Sequence, residues 1–386
     1  MDNLKDLFLL DPQIIYLNHG SFGACPRPVM DVYQAWQLEL ERQPVEFLDR
    51  RFADLLQDSR SNMAAYLQVQ PDEVVYFHNP TTAINMIARN LIRDKDPFLT
   101  GGDEILTTNH EYGAMDRTWR YICRQVGAHY VQREISLPVS DQDIFINLFL
   151  RGVNDLTRVI FISHITSPTA LTFPIAQICR RARQAGILTI IDGAHAPGQI
   201  ALNLHEIDPD IYVGACHKWL CAPKGVSFLY ARKDIQSLLD PLVISWGFES
   251  EKPGISQFID YHEWQGTRDL SAFLSVPAAI EFQKEHDWVK IRHKCHAIAL
   301  STRDRLNTIT GLESICPNDW FHQMVTIRLP QNSNLEILKV RLYDEFNIEV
   351  PLFEWCDEKF MRVSYQGYNS EDDMSALLSA IVSLLK

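Results

Sequence analysis

Long apolar runs are missing from this 386-residue chain. None approaches the roughly 20 consecutive apolar residues needed for a bilayer-spanning helix, so a helical membrane anchor is excluded. A short Leu-Phe-Leu-Leu stretch follows an acidic opening, and no basic leader precedes it, so a cytoplasmic address is expected. Blocks of Lys and Arg are missing too. With a formal net charge of −13 nothing offsets the acidic groups, which argues against nucleic-acid binding. The eight cysteines form no CxxC pair, so neither a zinc ribbon nor a disulfide framework is expected, and most should be reduced core residues. No HxH or HExxH occurs either. A metal-dependent hydrolase built on His110, His164, His195 and His217 is therefore an alternative of another class that no motif supports, and no metal ligand is expected. Repeats, low-complexity tracts and a spare DNA-binding module are absent as well.

What is present is alternation. Short β-branched runs at Glu73–Phe77, Glu104–Thr107, Val159–His164, Ile187–Ile191, Ile211–Ala215 and Val226–Tyr230 are separated by amphipathic stretches such as Ala83–Ile92, Ala114–Val126 and Ile175–Gln184. That pattern predicts βα units on a mostly parallel sheet, with ligands bound beyond the carboxyl ends of the strands. The last third reads differently. A long helical stretch over Ala272–Leu306, broken near Asp287, leads to a strand at Met324–Leu329 and a helix at Leu335–Phe346. Short strands near Ile348–Pro351 and Met361–Ser364 and a helix from Glu371 follow. The expected division is a large α/β domain over 20–265 and a smaller α+β domain over 266–386, with the segment 1–19 packing on the latter.

Three segments carry chemistry. In the first, a buried strand runs into Asp192, then Gly193, Ala194 and His195. A buried carboxylate needs a cationic partner, and a protonated pyridine nitrogen satisfies it; His195 is placed to bond a phenolic oxygen of the same ring. Structural capping is the plain alternative for this pair. In the second, Lys218 follows the strand Ile211–Ala215. An amine turned inward has a depressed pKa and is nucleophilic, as an imine-forming lysine must be. Lys224, in a Pro-Lys-Gly turn, is the competing lysine and reads as an exposed loop residue. The third is His78-Asn79-Pro80-Thr81-Thr82, a strand-to-helix junction with free N–H groups and two hydroxyls, which suits a phosphate.

In order and spacing, Asp192-x-x-His195, His217-Lys218 and Pro223-Lys-Gly225 resemble the cofactor core of the class V aminotransferases, pyridoxal-phosphate (PLP) enzymes of fold type I. The resemblance covers nearly the whole chain. It is strongest to the isopenicillin N epimerase-like branch, through Tyr16-Leu-Asn18-His19-Gly20-Ser21-Phe22-Gly23, His110-Glu-Tyr112-Gly-Ala-Met115 and His217 to Gly225. It implies a large domain with a seven-stranded, mostly parallel sheet and PLP as the cofactor. Lys218 then carries the cofactor and moves protons at the substrate Cα. Asp192 and His195 hold the ring, Thr81, Thr82 and His217 the phosphate, and Tyr112 stacks over the ring as a second candidate catalytic residue. Thr166 and Ser167 fall where relatives place a polar group, often Asn; of the two, Ser167 is taken as a cofactor contact.

Gly266 and Thr267 correspond to a segment that reaches a partner's phosphate, which implies a homodimer. Arg362 matches the clamp for the α-carboxylate of an amino-acid substrate, beside Asn18, His19 and Gly20 in the substrate loop. The expected activity is epimerase-like chemistry at Cα. A cysteine or cystine C–S lyase is the alternative. A cysteine desulfurase ranks below both, because the segment holding Cys356 is short and Cys25 is a weaker candidate still.

Overall fold

The computed structural model describes residues 4–385. Its strands, in chain order, are β1 Ile15–Tyr16, β2 Val74–Phe77, β3 Glu104–Thr108, β4 His129–Arg133, β5 Thr157–Ser163, β6 Leu188–Asp192, β7 Ile211–Ala215, β8 Ser227–Ala231, β9 Met324–Leu329, β10 Ile348–Glu349, β11 Leu352–Trp355 and β12 Glu358–Ser364. The main sheet has seven strands in the order β2-β8-β7-β6-β5-β3-β4. β8 runs antiparallel to both neighbours, and the other pairings are parallel.

Period-two alternation builds the core on both faces of this sheet. Ile160, Ile162, Ile191, Tyr212 and Phe228 pack on one face, with helices Arg27–Arg42, Phe52–Leu67 and Ile175–Gln184. Val159, Phe161, Ile190, Val213 and Leu229 pack on the other, with helices Pro80–Asn90 and Gly113–Val126. Because β3, β5, β6 and β7 are parallel, their carboxyl ends share one edge, where the loops carrying the chemistry emerge.

A three-stranded antiparallel sheet, β11-β12-β9, and the two-stranded parallel pair β1-β10 form from the two ends of the chain. The first segment continues past β1 beside β12, where Ser364 N–H bonds the Leu17 carbonyl at 2.9 Å. Helices Ser271–Leu274 and Val276–Glu285 pack against the helices of residues 27–42 and 52–67. Residues 1–3 of the expected N-terminal segment lie outside the described residues. No described helix is long and apolar enough to cross a membrane.

The helical stretch of the last third does break at Asp287. Its φ of +46° separates helices Val276–Glu285 and Trp288–Thr310, and its carboxylate caps the second. The short strands differ from expectation. β10 stops at Glu349, two residues before Pro351, and β11 and β12 pair through a two-residue turn, Cys356 and Asp357, both at positive φ. The edge strand β4 lay outside the sequence expectation, because His129-Tyr-Val-Gln-Arg133 is only partly buried and lacks a clean apolar face.

Candidate active site

Beyond that shared strand edge lies a cavity of about 170 Å³. Thr81, Tyr112, Ser167, Asp192, His195, His217 and Lys218 line it together, from five separate loops or strand ends. Each reaches it for a local reason. Asp192 ends β6, in register with Ser163 of β5 and Val213 of β7. Its Oδ1 accepts the Ala194 N–H at 3.0 Å, and burial raises its pKa while Lys218 opposes the rise. Lys218 follows β7. Desolvation and the Arg362 charge hold its amine down to about 8, against the pull of Asp192. Its Nζ lies 3.0 Å from His195 Nε2. Burial keeps His217 neutral, with a pKa of about 4. Lys224 donates instead to the Gly23 carbonyl at 3.2 Å, outside the cavity lining.

Arg362 projects from β12, opposite Thr326 of β9, and is 7% exposed. Its Nη1 donates to the Ser167 carbonyl (2.6 Å) and hydroxyl (3.2 Å), and its Nη2 to the Ser21 hydroxyl (2.9 Å). All three are neutral oxygens, and its Nε has no acceptor among the described residues. Desolvation lowers its pKa to about 10, which leaves it charged at neutral pH. A buried guanidinium held this way has the chemistry to receive a carboxylate, and it stands behind Ser21 and Ser167, which line the cavity while it does not.

The remaining predicted residues stand further back. Asn79 caps helix Pro80–Asn90, taking both the N–H (2.9 Å) and the hydroxyl (3.1 Å) of Thr82, so Thr81 faces the cavity and Thr82 serves the cap. Asn18 accepts the Ser21 hydroxyl at 2.5 Å and donates to Glu349 at 3.0 Å. His19 is buried between the Lys218 carbonyl (3.1 Å) and the Tyr368 hydroxyl (3.0 Å). Gly20 packs so tightly that a Cβ would sit 2.6 Å from Met324 Sδ. These three support the wall, while Ser21 and Phe22 form it. Thr166 turns inward to Thr169 and Leu171, and Gly266 and Thr267 are not part of the lining.

Sequence reasoning also passed over Ser163 and Glu111. Glu111 is buried and accepts from Thr108 Oγ1 (2.7 Å), Ser163 N–H (2.9 Å) and Ser163 Oγ (2.6 Å). Burial, with Asp192 and Asp116 adding to it, pushes its carboxyl up to about 8. Its only sequence signal was its place beside Tyr112.

The four histidines of the hydrolase alternative do not converge. His110 bonds Thr169 and the Ile135 carbonyl, His164 bonds Tyr212, and His217 bonds the Val226 carbonyl. Among the described residues, no three His, Cys, Asp or Glu side chains are grouped to hold a metal ion. Cys356 sits in the tight β11–β12 turn with Asn109 Nδ2 3.8 Å from its sulfur, and Cys25 is buried against Pro26. Neither lines the cavity.

The sequence pattern of the family described as aminotransferase class-V matches residues 15–377. The chain belongs to the class-V aminotransferase family. It is a PLP-dependent enzyme of fold type I. Over 398 residues it is 35% identical to the isopenicillin N epimerase of Amycolatopsis lactamdurans, covering 100% of this chain and 98% of the other. It is 28% identical to a probable chloroplastic L-cysteine desulfhydrase of Arabidopsis thaliana, over 97% of this chain and 84% of that one. A cysteine desulfurase from Thermococcus onnurineus NA1 shares the fold, with a TM-score of 0.85 at 17% identity over 99% of this chain and 97% of that one.

The residues of this class-V enzyme fit the cofactor its family uses. A buried carboxylate, a neutral imidazole and a desolvated amine meet in one cavity, with a capped helix start at its rim. That donor set matches a cationic ring nitrogen, a phenolic oxygen, a carbonyl carbon and a phosphate.

Proposed function

We propose that this enzyme removes and returns the Cα proton of an α-amino acid, inverting its configuration. The observation that carries the reading is the placement of Lys218 and Tyr112. Lys218 follows β7, on one side of the strand that ends in Asp192. Tyr112 follows β3, two strands away on the other side, and both line the cavity. The α-carboxylate is held by Arg362, whose guanidinium lies within electrostatic reach of both groups. The Cα, one bond from that carboxylate, then has a proton acceptor on one flank and a phenol on the other.

Asp192 and His195 would hold the cofactor ring, and Thr81 and His217 its phosphate, while the expected contact from Thr82 is given up to the Asn79 cap. The bound cofactor supplies the electron sink that makes the Cα–H bond acidic. Lys218, whose amine is held down to about 8 and is therefore partly uncharged near neutral pH, takes the Cα proton from one face, and the Tyr112 O–H donates to the other. Tyr112 is half-exposed and lines the cavity. Similarity to proteins named isopenicillin N epimerase supports inversion. Similarity to proteins named L-cysteine desulfhydrase supports a second reading, elimination from a cysteine-like substrate, which requires Lys218 but not the Tyr112 phenol.

Incubation with a panel of L-amino acids in deuterated water separates these readings. Deuterated D-product indicates inversion, and keto acid with ammonia indicates elimination. Lys218→Ala should lose at least about a hundredfold in either activity. Tyr112→Phe keeps the aromatic ring, and it should abolish inversion while exchange of the L-substrate Cα proton continues. Inversion by Tyr112→Phe at the parental rate would contradict the assignment of Tyr112.

The same reading makes the molecule a homodimer, with Gly266 and Thr267 reaching the partner's phosphate site. It divides the chain into 20–265 and 266–386, with the N-terminal segment joining the latter through the β1–β10 pair. The exposed Trp246 and Ile255 support a covered face in that region.

A further inference from the structure

His195 has two ring nitrogens, and each faces a different neighbour. The indole N–H of Trp219 points at Nδ1 from 3.2 Å, and the Lys218 amine lies 3.0 Å from Nε2. An indole nitrogen can only donate, so Nδ1 is an acceptor and carries no proton. Burial, with the Arg362 charge adding to it, keeps the ring neutral whether or not Lys218 carries a charge. A neutral imidazole has one N–H, which must then be on Nε2. We propose that Trp219 is a positioning residue that fixes His195 as a hydrogen-bond donor toward the Lys218 amine and toward the phenolic oxygen of the cofactor. The second half of this statement rests on Lys218 being the cofactor anchor.

The direction of that bond has a chemical consequence. A neutral amine has a lone pair that can accept the Nε2–H, and an ammonium does not. The Trp219-selected tautomer therefore favours the uncharged lysine, the form that attacks a carbonyl. In the opposite tautomer Nε2 would accept, and it would hold Lys218 as an ammonium. A deprotonated phenolic oxygen is also an acceptor, so the same N–H suits the site before and after cofactor attachment.

The other groups facing this pair are Asp192 from β6, Arg362 from β12, His217 from the same loop and His19 from the N-terminal turn. Arg362 favours the neutral amine and Asp192 opposes it, while His19 and His217 are themselves held neutral by burial. None of them chooses between the two nitrogens of His195; Trp219 does.

The indole is held so that its N–H has one direction. Trp219 is fully buried, and its carbonyl accepts from Gln283 Nε2 at 2.8 Å. Its ring lies 5.0 Å from the His19 ring, and a Cβ on Gly20 would meet it at 3.4 Å. The N-terminal turn thus braces the indole from the side of the second sheet.

Nuclear magnetic resonance of isotope-labelled histidine in the cofactor-free protein reads the tautomer directly. The wild type should show His195 with its proton on Nε2, and a proton on Nδ1 would overturn the proposal without recourse to any variant. In Trp219→Phe, the Nδ1–H form should become populated. A second readout is the pH dependence of the rate at which added PLP develops the absorbance of the lysine-bound cofactor. Trp219→Phe should shift that profile upward by about one pH unit, the worth of one hydrogen bond.

In a His195→Ala background no ring remains for Trp219 to orient, so the same substitution should cause no shift; a merely structural indole would shift both profiles. If Lys218→Ala still develops the absorbance, the anchor reading fails while the tautomer assignment stands or falls on the resonance data. If Trp219→Phe leaves both the tautomer and the profile unchanged, the role of Trp219 fails alone.

Discussion

Burial at this site shifts acids and bases in opposite directions, and Glu111 carries the clearest consequence. Its carboxyl, ordinarily near 4.5, is pushed up to about 8 by burial. Between those values the folded protein binds a proton that the unfolded chain has released. Stability therefore falls as pH rises from about 4.5 to about 8 and levels off above that. Asp192, also raised by burial, adds a slope of the same sign. Glu111→Gln keeps an acceptor for Ser163 and removes the ionisation. In cofactor-free protein it should flatten that part of the stability–pH curve and be a few kcal/mol more stable than wild type above pH 8. Denaturant unfolding at several pH values measures this; a variant that keeps the parental slope would show that Glu111 is already ionised in the folded state.

Among the elements, the helix Pro80–Asn90 opens on a single capping side chain beside the cavity. Asn79 takes the Thr82 N–H and hydroxyl, which sets how the first turn presents Thr81 to the cavity. Asn79→Ala should cost about 1 kcal/mol of stability through loss of the cap. It should also weaken PLP retention severalfold on dialysis, whereas Asn79→Asp should restore the cap. Equal retention by all three proteins would separate the cap from the cofactor site. The β11–β12 hairpin makes a contrasting point. Its two-residue turn confines Cys356, which is the physical reason to set a mobile nucleophilic cysteine aside.

For the whole molecule, the proposed dimer places the loop of Gly266 and Thr267 at the partner's phosphate. Gly266, at φ +101°, is in the left-handed region that a bulky residue resists. Lys218→Ala and Gly266→Trp should each be inactive. If sites are shared, mixing them through reversible unfolding should recover roughly a quarter of the parental activity, because one site of each heterodimer is intact. A monomer, or a dimer with self-contained sites, would recover none.

The short β-branched runs pointed to the sheet, because strands buried on both faces read as near-continuous apolar segments, and Asp192, His195 and Lys218 stood out because they sit at or just after the ends of two such runs. Edge strand β4, half-wet and polar, left no such segment. Some features depend on residues distant in sequence, and no local pattern encodes them. Arg362 reaches Ser21 and Ser167 only through the second sheet. Asn18, His19 and Gly20 look like wall residues until packing sets them behind it. Glu111 becomes a proton-holding acid only once Ser163 and Asp192 close around it. The sequence by itself marked out the cofactor and singled out Lys218 and Arg362 as the proposed anchor and carboxylate clamp. Only the tertiary structure brought Lys218, Tyr112 and Arg362 around one site and set Trp219 Nε1 against His195 Nδ1, because these approaches join segments distant in sequence.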